Sequence, residues 1–268
     1  MKSLSLSATR LSTYQRCPKS YELKFLKKVP GAPVKAPLLG QILHQALAEV
    51  YRWPAWRGVP SLAVVQDHWN EAIKKHPELT NDLCTEGWRM LQDYHARQIA
   101  PLAQWREPVG VEGRIEGELT VDQVTFKLTG RYDRLDCLTT GNTQAVLHLV
   151  DYKTSRQQQS LPELERDLQL GLYQLALEQR YGQVLQTVSH IYLRTGDVVS
   201  FEASAAQKAL ALEKIQALAR DMLHREQFEA KTGKHCRSCD ARQYCDTFTE
   251  TPKAYAPKPS VGVQLSLA

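Results

Sequence analysis

Apolar and polar residues alternate with a period of two through the middle of the chain. This alternation predicts a meander of strands at 109–119 and 124–130, because successive side chains of a strand point to opposite faces. Two further apolar runs flank the turn sequence TTGN at 139–142, which favours a hairpin. Runs at 188–194 and 198–202 predict two additional strands.

Apolar residues recur at helical spacing before and after these strands. In the segment 38–52, apolar residues at every third or fourth position would form one buried face. Ser7 or Thr9 can cap the first helix, and Pro18 interrupts it. We predict helices over residues 7–16, 19–28, 38–52, 62–75, 82–102, 162–181 and 205–225.

The composition is that of an ordinary globular protein. The chain has 268 residues, of which 43% are hydrophobic and 24% are charged. This length can bury one large core, or a core with a helical insertion. No apolar run approaches the ~18 residues of a membrane span, and no signal-peptide pattern follows Met1. We therefore expect a cytoplasmic protein with no membrane partner.

Positive charge is concentrated at the amino terminus. The net charge is only +5, but the first 35 residues contain eight lysines or arginines and a single acid, Glu22. A basic stripe of this kind suits a polyanion such as nucleic acid. The alternative is a solvated helix face.

The predicted hairpin carries two aspartates and a lysine near its open end. Asp151 and Lys153 are two residues apart on a strand and share a face, and pairing would bring Asp133 across from Asp151. Two close carboxylates repel each other, and a hard cation such as Mg²⁺ or Mn²⁺ relieves that repulsion. Lys153 would then hold a water or stabilise a phosphate. The simpler alternative is a surface hairpin with a solvated ion pair.

Three cysteines near the carboxyl terminus have the spacing C-x2-C-x5-C. They are Cys236, Cys239 and Cys245. Six cysteines in a cytoplasmic chain favour metal chemistry over disulfides, and thiolates suit zinc or an iron–sulfur cluster. Cys17 is the upstream candidate for a fourth ligand, and His235 is a substitute. Cys84 and Cys137 fall outside the pattern, and we expect them in the core.

The segment G-x-x-D-R-x-D, a turn, and then D-Y-K-T resembles the core of the PD-(D/E)XK nucleases, in particular the RecB-like branch. This resemblance implies an α/β fold in which helices flank a mixed central sheet, as in restriction endonucleases. It further implies one nuclease domain over 1–250, with a helical insertion at about 54–105, a nuclease core at about 109–203 and a cluster segment at 234–246. The remaining residues, 251–268, would be a flexible tail.

The same resemblance assigns roles to individual residues. Gly40-x-x-x-His44 matches the family's histidine motif, and Gln169-x-x-x-Tyr173 matches its Q-x-x-x-Y motif. Some relatives place an additional acid near Glu112. The implied ligands of Mg²⁺ or Mn²⁺ are His44, Asp133, Asp151 and the Tyr152 carbonyl. The implied catalytic residues are Asp133, Asp151, Lys153, Gln169 and Tyr173.

The cysteines also match a feature of RecB-like nucleases of the AddB and CRISPR-associated types. Around Cys17 the sequence Y-x-x-C-P-x-x-Y resembles the amino-terminal segment of these enzymes. The resemblance implies a [4Fe–4S] cluster, with zinc as the lesser alternative, and the ligands would be Cys17, Cys236, Cys239 and Cys245. Such a cluster would tie the two ends of the chain together across 219 residues of sequence.

The expected function is therefore that of a metal-dependent DNA exonuclease in repair or recombination. One alternative is a CRISPR adaptation nuclease that trims integration precursors beside an integrase. Another is a non-catalytic DNA-binding adaptor subunit. No G-x-x-x-x-G-K-[ST] motif is present, so a helicase partner would be a separate protein.

The carboxyl-terminal peptide predicts one more partner. Gln264, Leu265 and Leu267 resemble the Q-L-x-L-F peptide that binds the bacterial β sliding clamp, although Ala268 replaces the bulky aromatic. The proline-rich stretch before it would act as an extended linker. The alternative is a terminus without a partner.

Overall fold

The computed structural model describes residues 4–31, 38–140, 144–160, 163, 167–202, 204–248 and 253. Within them, six strands form a single sheet. The strands are β1 (Leu4–Leu6), β2 (Gly110–Val121), β3 (Val124–Thr140), β4 (Gln144–Lys153), β5 (Leu185–Tyr192) and β6 (Asp197–Glu202).

The strands run in the order β1-β3-β4-β5-β6, and β2 pairs with β3. The β1–β3 and β4–β5 pairs are parallel, whereas β2–β3, β3–β4 and β5–β6 are antiparallel. The long strand β3 pairs with β2 and, further along, with β4, so it positions both partners. This mixed sheet confirms the predicted α/β fold.

Seven helices accompany the sheet in the described part of the chain. They are α1 (Ala8–Arg16), α2 (Pro18–Tyr21), α3 (Leu38–Tyr51), α4 (Leu62–Lys74), α5 (Asn81–Tyr94), α6 (Leu168–Tyr181) and α7 (Ala205–His224). Helices α2 and α5 continue as single π-helical segments, Glu22–Leu26 and His95–Ile99. The predicted start of α6 at residue 162 lies outside the described residues, and the described helix follows its N-cap, Asp167.

Two hydrophobic clusters cover the two faces of the sheet. One joins α1, α6 and α7 to the sheet and includes Leu11, Leu172 and Ile215. The other joins α3, α4 and α5 to the sheet and includes Ile42, Trp69, Met90 and Val150. Alternate residues of β4 belong to opposite clusters, since Leu149 lies in the first and Val150 in the second. The sheet is therefore flanked by helices on both sides.

A third, smaller cluster joins the beginning of the chain to its carboxyl-terminal segment. Leu23, Val29, Ala241 and Cys245 are buried together there. Ion pairs reinforce this contact. Lys24 lies 2.8 Å from Asp240, and Lys19 lies 3.4 Å from Asp246. Several of the basic residues concentrated at the amino terminus therefore neutralise acids of this protein.

Some sequence-based expectations are wrong or fall outside the described residues. Cys137 was expected in the core but is exposed, because it lies on β3 near the hairpin end, where few elements cover the strand. Cys84 is partly buried. The carboxyl-terminal peptide with Gln264, Leu265 and Leu267 lies outside the described residues. Among the described helices, none is long and apolar enough to cross a membrane.

Candidate active site

A break in the β2–β3 ladder directs one acidic side chain toward a neighbouring strand. Val111 pairs with Arg134 and Gly113 pairs with Tyr132, but Glu112 between them is unpaired. The φ angle of Glu112 is +49°, in the left-handed region that residues other than glycine rarely occupy. A local distortion of this kind can re-aim a side chain out of the regular pleat. Strained residues of this type cluster at functional sites.

The flanking glycine makes this distortion compatible with packing. A Cβ atom at Gly113 would lie 2.1 Å from the ring of Tyr132, far inside van der Waals contact. Only glycine leaves room for that ring next to the unpaired residue. The sequence V-E-G is thus a local signal from which the break could have been predicted.

The Asp133 carboxylate is held between a helix and a strand. Its Oδ2 accepts a 2.7 Å hydrogen bond from the backbone N–H of Tyr152, and its Oδ1 lies 3.2 Å from Nδ1 of His44 on α3. Nδ1 of His44 also lies 4.0 Å from Glu112. One ligand atom from each of His44, Glu112 and Asp133 lies within 4.8 Å of the other two. We call these three residues the acidic group.

Asp151 lies beside the acidic group and contacts α6. Its Oδ2 is 2.6 Å from Nζ of Lys153, and its Oδ1 accepts a 3.5 Å hydrogen bond from Nε2 of Gln169. The geometry at Oδ2 is not that of a hydrogen bond, so this buried oxygen has no hydrogen-bond partner. Asp151 is therefore in contact with both Lys153 and Gln169.

The pKa values of the site follow from burial and from close like charges. Burial raises the pKa of Asp151 to about 6, against the opposing charge of Lys153 and with the help of Asp133. Burial, with the charge of Asp133, also raises the pKa of Glu112. Burial lowers the pKa of His44, but the hydrogen bond and charge of Asp133 outweigh it, so the net shift is upward. Without a bound cation, the carboxylates of the site repel one another, and this favours the protonated forms of Asp151 and Glu112.

Tyr152 and Tyr173 both make contacts beside Asp133. The N–H of Tyr152 binds Asp133, while its buried ring meets His44 edge-on with 5.9 Å between ring centroids. The hydroxyl of Tyr173 donates a 2.8 Å hydrogen bond to the carbonyl of Arg131. Tyr173 thus fastens α6 to β3, two residues before Asp133.

Two buried groups near the site were not found by sequence reasoning. Arg134 donates hydrogen bonds to the hydroxyls of Tyr94 and Tyr152, at 3.0 and 2.9 Å, and to Asp136 at 3.1 Å. His190 lies opposite Asp151 on β5 with Nε2 3.9 Å from the carboxylate, and neither ring nitrogen has a hydrogen-bond partner. Burial lowers the pKa of His190 to about 4, so the ring is neutral at pH 7. Arg134 lies inside the segment G-x-x-D-R-x-D, but the motif assigned it no role, and no motif marks His190.

The four cysteines expected to bind a cluster line one cavity. Cys17, from the turn between α1 and α2, faces Cys236, Cys239 and Cys245 of the carboxyl-terminal segment. All four thiols are free, and the cavity also contains Leu23, Ala230 and Phe248. Residues separated by more than 200 positions in the sequence therefore meet at one place.

Comparison with known proteins agrees with this geometry. Residues 5–246 match the model of the PD-(D/E)XK nuclease superfamily. The chain belongs to that superfamily, whose fold and acidic group support a metal-dependent nuclease. It is also 26% identical over 226 residues to an ATP-dependent helicase/deoxyribonuclease subunit of Carboxydothermus hydrogenoformans, covering 72% of this chain and 20% of that protein. The chain thus spans about a fifth of that relative.

Two solved structures show weaker similarity. The crystal structure of SSO0001 has 15% identity and a TM-score of 0.41, and the match covers 93% of this chain and 89% of the other. The crystal structure of Scheffersomyces stipitis Rai1 has 14% identity and a TM-score of 0.24, with 82% and 68% covered. At scores this low the similarity carries no weight, and the fold assignment rests on the sheet and the family match.

Proposed function

We propose that this protein is a Mg²⁺- or Mn²⁺-dependent deoxyribonuclease that acts on DNA ends or single strands during repair or recombination. The observation that carries this proposal is the meeting of Asp133, Asp151 and Lys153 where β3 and β4 part. Glu112 and His44 complete a set of hard oxygen and imidazole donors around them. The family match supplies the reaction class, phosphodiester hydrolysis.

The donor set fits a divalent cation. Ligand atoms of His44, Glu112 and Asp133 lie within 4.8 Å of one another, and the buried carboxylate of Asp151 interacts electrostatically with Asp133 beside them. Hard cations with oxygen ligands satisfy such groups. His44, Glu112, Asp133 and Asp151 would hold the ion, with the Tyr152 carbonyl as a further candidate. When bound, the ion supplies Lewis-acid polarisation and lowers the pKa of a water.

The protein's own side chains have separable tasks in this proposal. Lys153 places a positive charge beside the position of the reacting phosphate and orients the attacking water. Gln169 fixes the rotation of the Asp151 carboxylate through its 3.5 Å contact. Tyr173 fastens α6 to β3 through its hydrogen bond to the Arg131 carbonyl. In the reaction the water oxygen forms a bond to phosphorus, the bond to the leaving oxygen breaks, and a proton passes to that oxygen.

We further propose that the cysteine cavity holds a [4Fe–4S] cluster. Four thiols from distant segments around one cavity support this assignment. The choice of a cluster over zinc follows the resemblance of the cysteine spacing to that of RecB-like nucleases. The role of the cluster would be to clamp the two ends of the chain together.

The name of the relative supports a helicase partner. That protein is called a helicase/deoxyribonuclease subunit, and this chain matches about a fifth of it, so the name supports an association with helicase activity. A CRISPR adaptation role shares the same chemistry, and no observation favours it. The non-catalytic adaptor is disfavoured because the acidic group, Asp151 and Lys153 are all in place. Binding to the β sliding clamp stays a prediction from the sequence.

A cleavage assay tests the proposal. Purified protein is incubated with end-labelled single- and double-stranded DNA in Mg²⁺ or Mn²⁺, and the Asp151→Ala variant is the control. We expect cleavage by the wild type, and loss of cleavage with retained DNA binding in the variant. The proposal fails if the wild type cleaves neither substrate with either metal, or if the variant retains full activity.

A further inference from the structure

The loop after α3 displays a tryptophan to solvent. Trp56 lies in a short 3-10 turn, Ala55–Arg57, and is 80% exposed, the highest value among the large hydrophobic residues that the structure describes as exposed. Trp69 and Trp105 are buried. Tryptophan is usually buried at least in part, so the exposure of Trp56 is not explained by packing.

The loop that carries Trp56 is held in place on both sides. The backbone N–H of Ala55 donates a 2.8 Å hydrogen bond to Glu107, and the indole N–H of Trp105 donates a 2.8 Å hydrogen bond to the carbonyl of Trp53. Within the loop, the indole N–H of Trp53 donates a 3.2 Å hydrogen bond to the carbonyl of Gly58. The exposed ring is therefore presented on a preorganised support.

An arginine lies between two of the indole rings. The guanidinium carbon of Arg57 is 4.8 Å from the ring centroid of Trp53 and 5.0 Å from that of Trp56. Within the described part of the chain, Arg57 forms no ion pair with a carboxylate. Its positive charge is thus available to an external anion while its stem orders the exposed ring. We call Trp56 and Arg57 the aromatic platform.

A groove extends from the acidic group to the end of α3, and the platform follows in sequence. Glu112, Arg131 and Arg52 line this groove, and Arg52 directly precedes Trp53. Trp56 is four residues beyond Arg52, which is at most about 14 Å of extended chain. Arg52 lies eight residues beyond His44, across the end of α3, which corresponds to about 12 Å along a helix axis. A strand with one phosphate at the acidic group could reach the platform within a few nucleotides.

We propose that the aromatic platform stacks a base of the single DNA strand whose phosphate occupies the acidic group. Every base offers a flat π face, and base–aromatic stacking combined with a nearby cation is how single strands are held without sequence preference. The guanidinium of Arg57 lies over the ring of Trp56, so the exposed aromatic face is accompanied by a cation, as binding of a polyanionic strand requires. This inference rests on the proposed nuclease function, because it takes its substrate from that site.

The test couples a change in the protein to a change in the DNA. Binding of a fluorescent oligothymidylate of about 12 nucleotides is measured with Ca²⁺ in place of Mg²⁺ or Mn²⁺, so that the acidic group carries a cation, and one abasic site is moved along the strand. The variants are Trp56→Ala, Trp56→Phe and Arg57→Ala, and Leu210→Ala serves as a control at another exposed apolar residue. Unfolding midpoints check that each variant is folded.

We expect the wild type to lose affinity about 5- to 30-fold when the abasic site falls at one particular position. Trp56→Ala should bind the intact strand more weakly than the wild type does, by the same factor. It should bind the abasic strand no more weakly than the intact strand, because the two changes remove the same stacking contact. Trp56→Phe should restore most of the affinity, Arg57→Ala should weaken binding, and Leu210→Ala should behave as wild type.

The outcomes separate this inference from the proposed function. Cleavage by the wild type together with an unchanged abasic profile in Trp56→Ala overturns the platform alone, and a protein ligand would then be the better explanation for the ring. The positional coupling in a protein that cleaves no DNA would uphold the platform and refute the nuclease. Equal loss of affinity in Leu210→Ala would also overturn the inference.

Discussion

The backbone N–H of Tyr152 donates a 2.7 Å hydrogen bond to the side chain of Asp133. The last backbone pair between their strands is Arg134 with Val150. The hydrogen bond to the Asp133 side chain therefore joins the two strands just beyond the end of their backbone pairing. Because the other Asp133 oxygen faces His44, both oxygens are engaged and the orientation of the carboxylate is fixed. This contact sets the position of Asp133 relative to Asp151 and Lys153.

Two substitutions at Asp133 should separate the metal from the hydrogen bond. Asp133→Asn keeps an acceptor for the Tyr152 N–H, whereas Asp133→Ala leaves it unsatisfied, at about 1–3 kcal/mol. Both variants should lose more than about 100-fold in cleavage rate, since even an outer partner of a metal ligand contributes 10- to 100-fold. Only the alanine variant should lose stability in urea. Equal stability of the two variants would contradict the structural role of this contact.

The pKa of Asp151 predicts a pH-dependent stability of the metal-free protein. Its folded pKa of about 6 lies above its ordinary value of 3.8, so the fold favours the neutral form. The stabilisation is fully present below about pH 4 and is lost as the pH rises through 6. The loss should be on the order of 3 kcal/mol.

Asp151→Asn should remove that slope between pH 4 and 6, as followed by urea denaturation in EDTA. Comparing slopes cancels the constant effect of leaving Lys153 without its partner. Adding Mn²⁺ should stabilise the wild type most above pH 6, since the ion competes with the proton. The same slope in variant and wild type would show that Asp151 titrates normally.

The buried Arg134 should matter for stability more than its exposed neighbour. Its side chain satisfies two tyrosine hydroxyls and Asp136, and its guanidinium lies 4.1 Å from the ring centroid of Tyr51. Arg134→Met removes these three hydrogen bonds and leaves Asp136 without its arginine partner, so it should lower the free energy of unfolding by about 3–5 kcal/mol. Arg131→Met, at a side chain 65% exposed, should lower it by less than about 1 kcal/mol. Similar losses in the two variants would refute this ranking.

The cysteine cavity predicts a cofactor that depends on four thiols but not on all six. Protein purified without oxygen should be brown and contain iron and sulfide, and Cys17→Ser or Cys245→Ser should lose both together with thermal stability. Cys137→Ser is the matched control, because Cys137 is exposed and distant in sequence from the proposed ligands. Stoichiometric zinc without iron would refute the cluster.

How much of this structure the sequence predicts depends on how local each signal is. Most of the strands and helices follow from periodicity, and α4 ends within one residue of the predicted bound. The approach of Asp133 to Asp151 follows from the hairpin. The three-residue strand β1 was missed, because so short a segment carries no period and gains its pairing only from β3.

The parts that could not be predicted depend on contacts between distant residues. The contacts of Arg134 require Tyr51 and Tyr94, which belong to separate helices, to meet it on the sheet. The exposure of Trp56 depends on where its loop lies, since tryptophan is usually buried at least in part. Composition and spacing contain neither relationship.

The strained backbone of Glu112 gives the sharpest test of the acidic group. Its φ of +49° disfavours every residue with a Cβ atom, whereas glycine adopts this conformation readily. Glu112→Gly should therefore be more stable than Glu112→Ala by about 1 kcal/mol, and removal of a buried charge beside Asp133 should raise the stability of both in EDTA.

Metal binding should change in the opposite direction. Both Glu112 variants lack one carboxylate of the acidic group, so both should bind Mn²⁺ more weakly, by about 10-fold or more, as measured by calorimetry. If Glu112 were strained but not a ligand, both variants would be more stable than the wild type and would bind Mn²⁺ equally well. If Glu112 served only in packing, both variants would be less stable than the wild type. Stability gained together with metal affinity lost is expected only if the protein maintains this backbone strain to place a metal ligand.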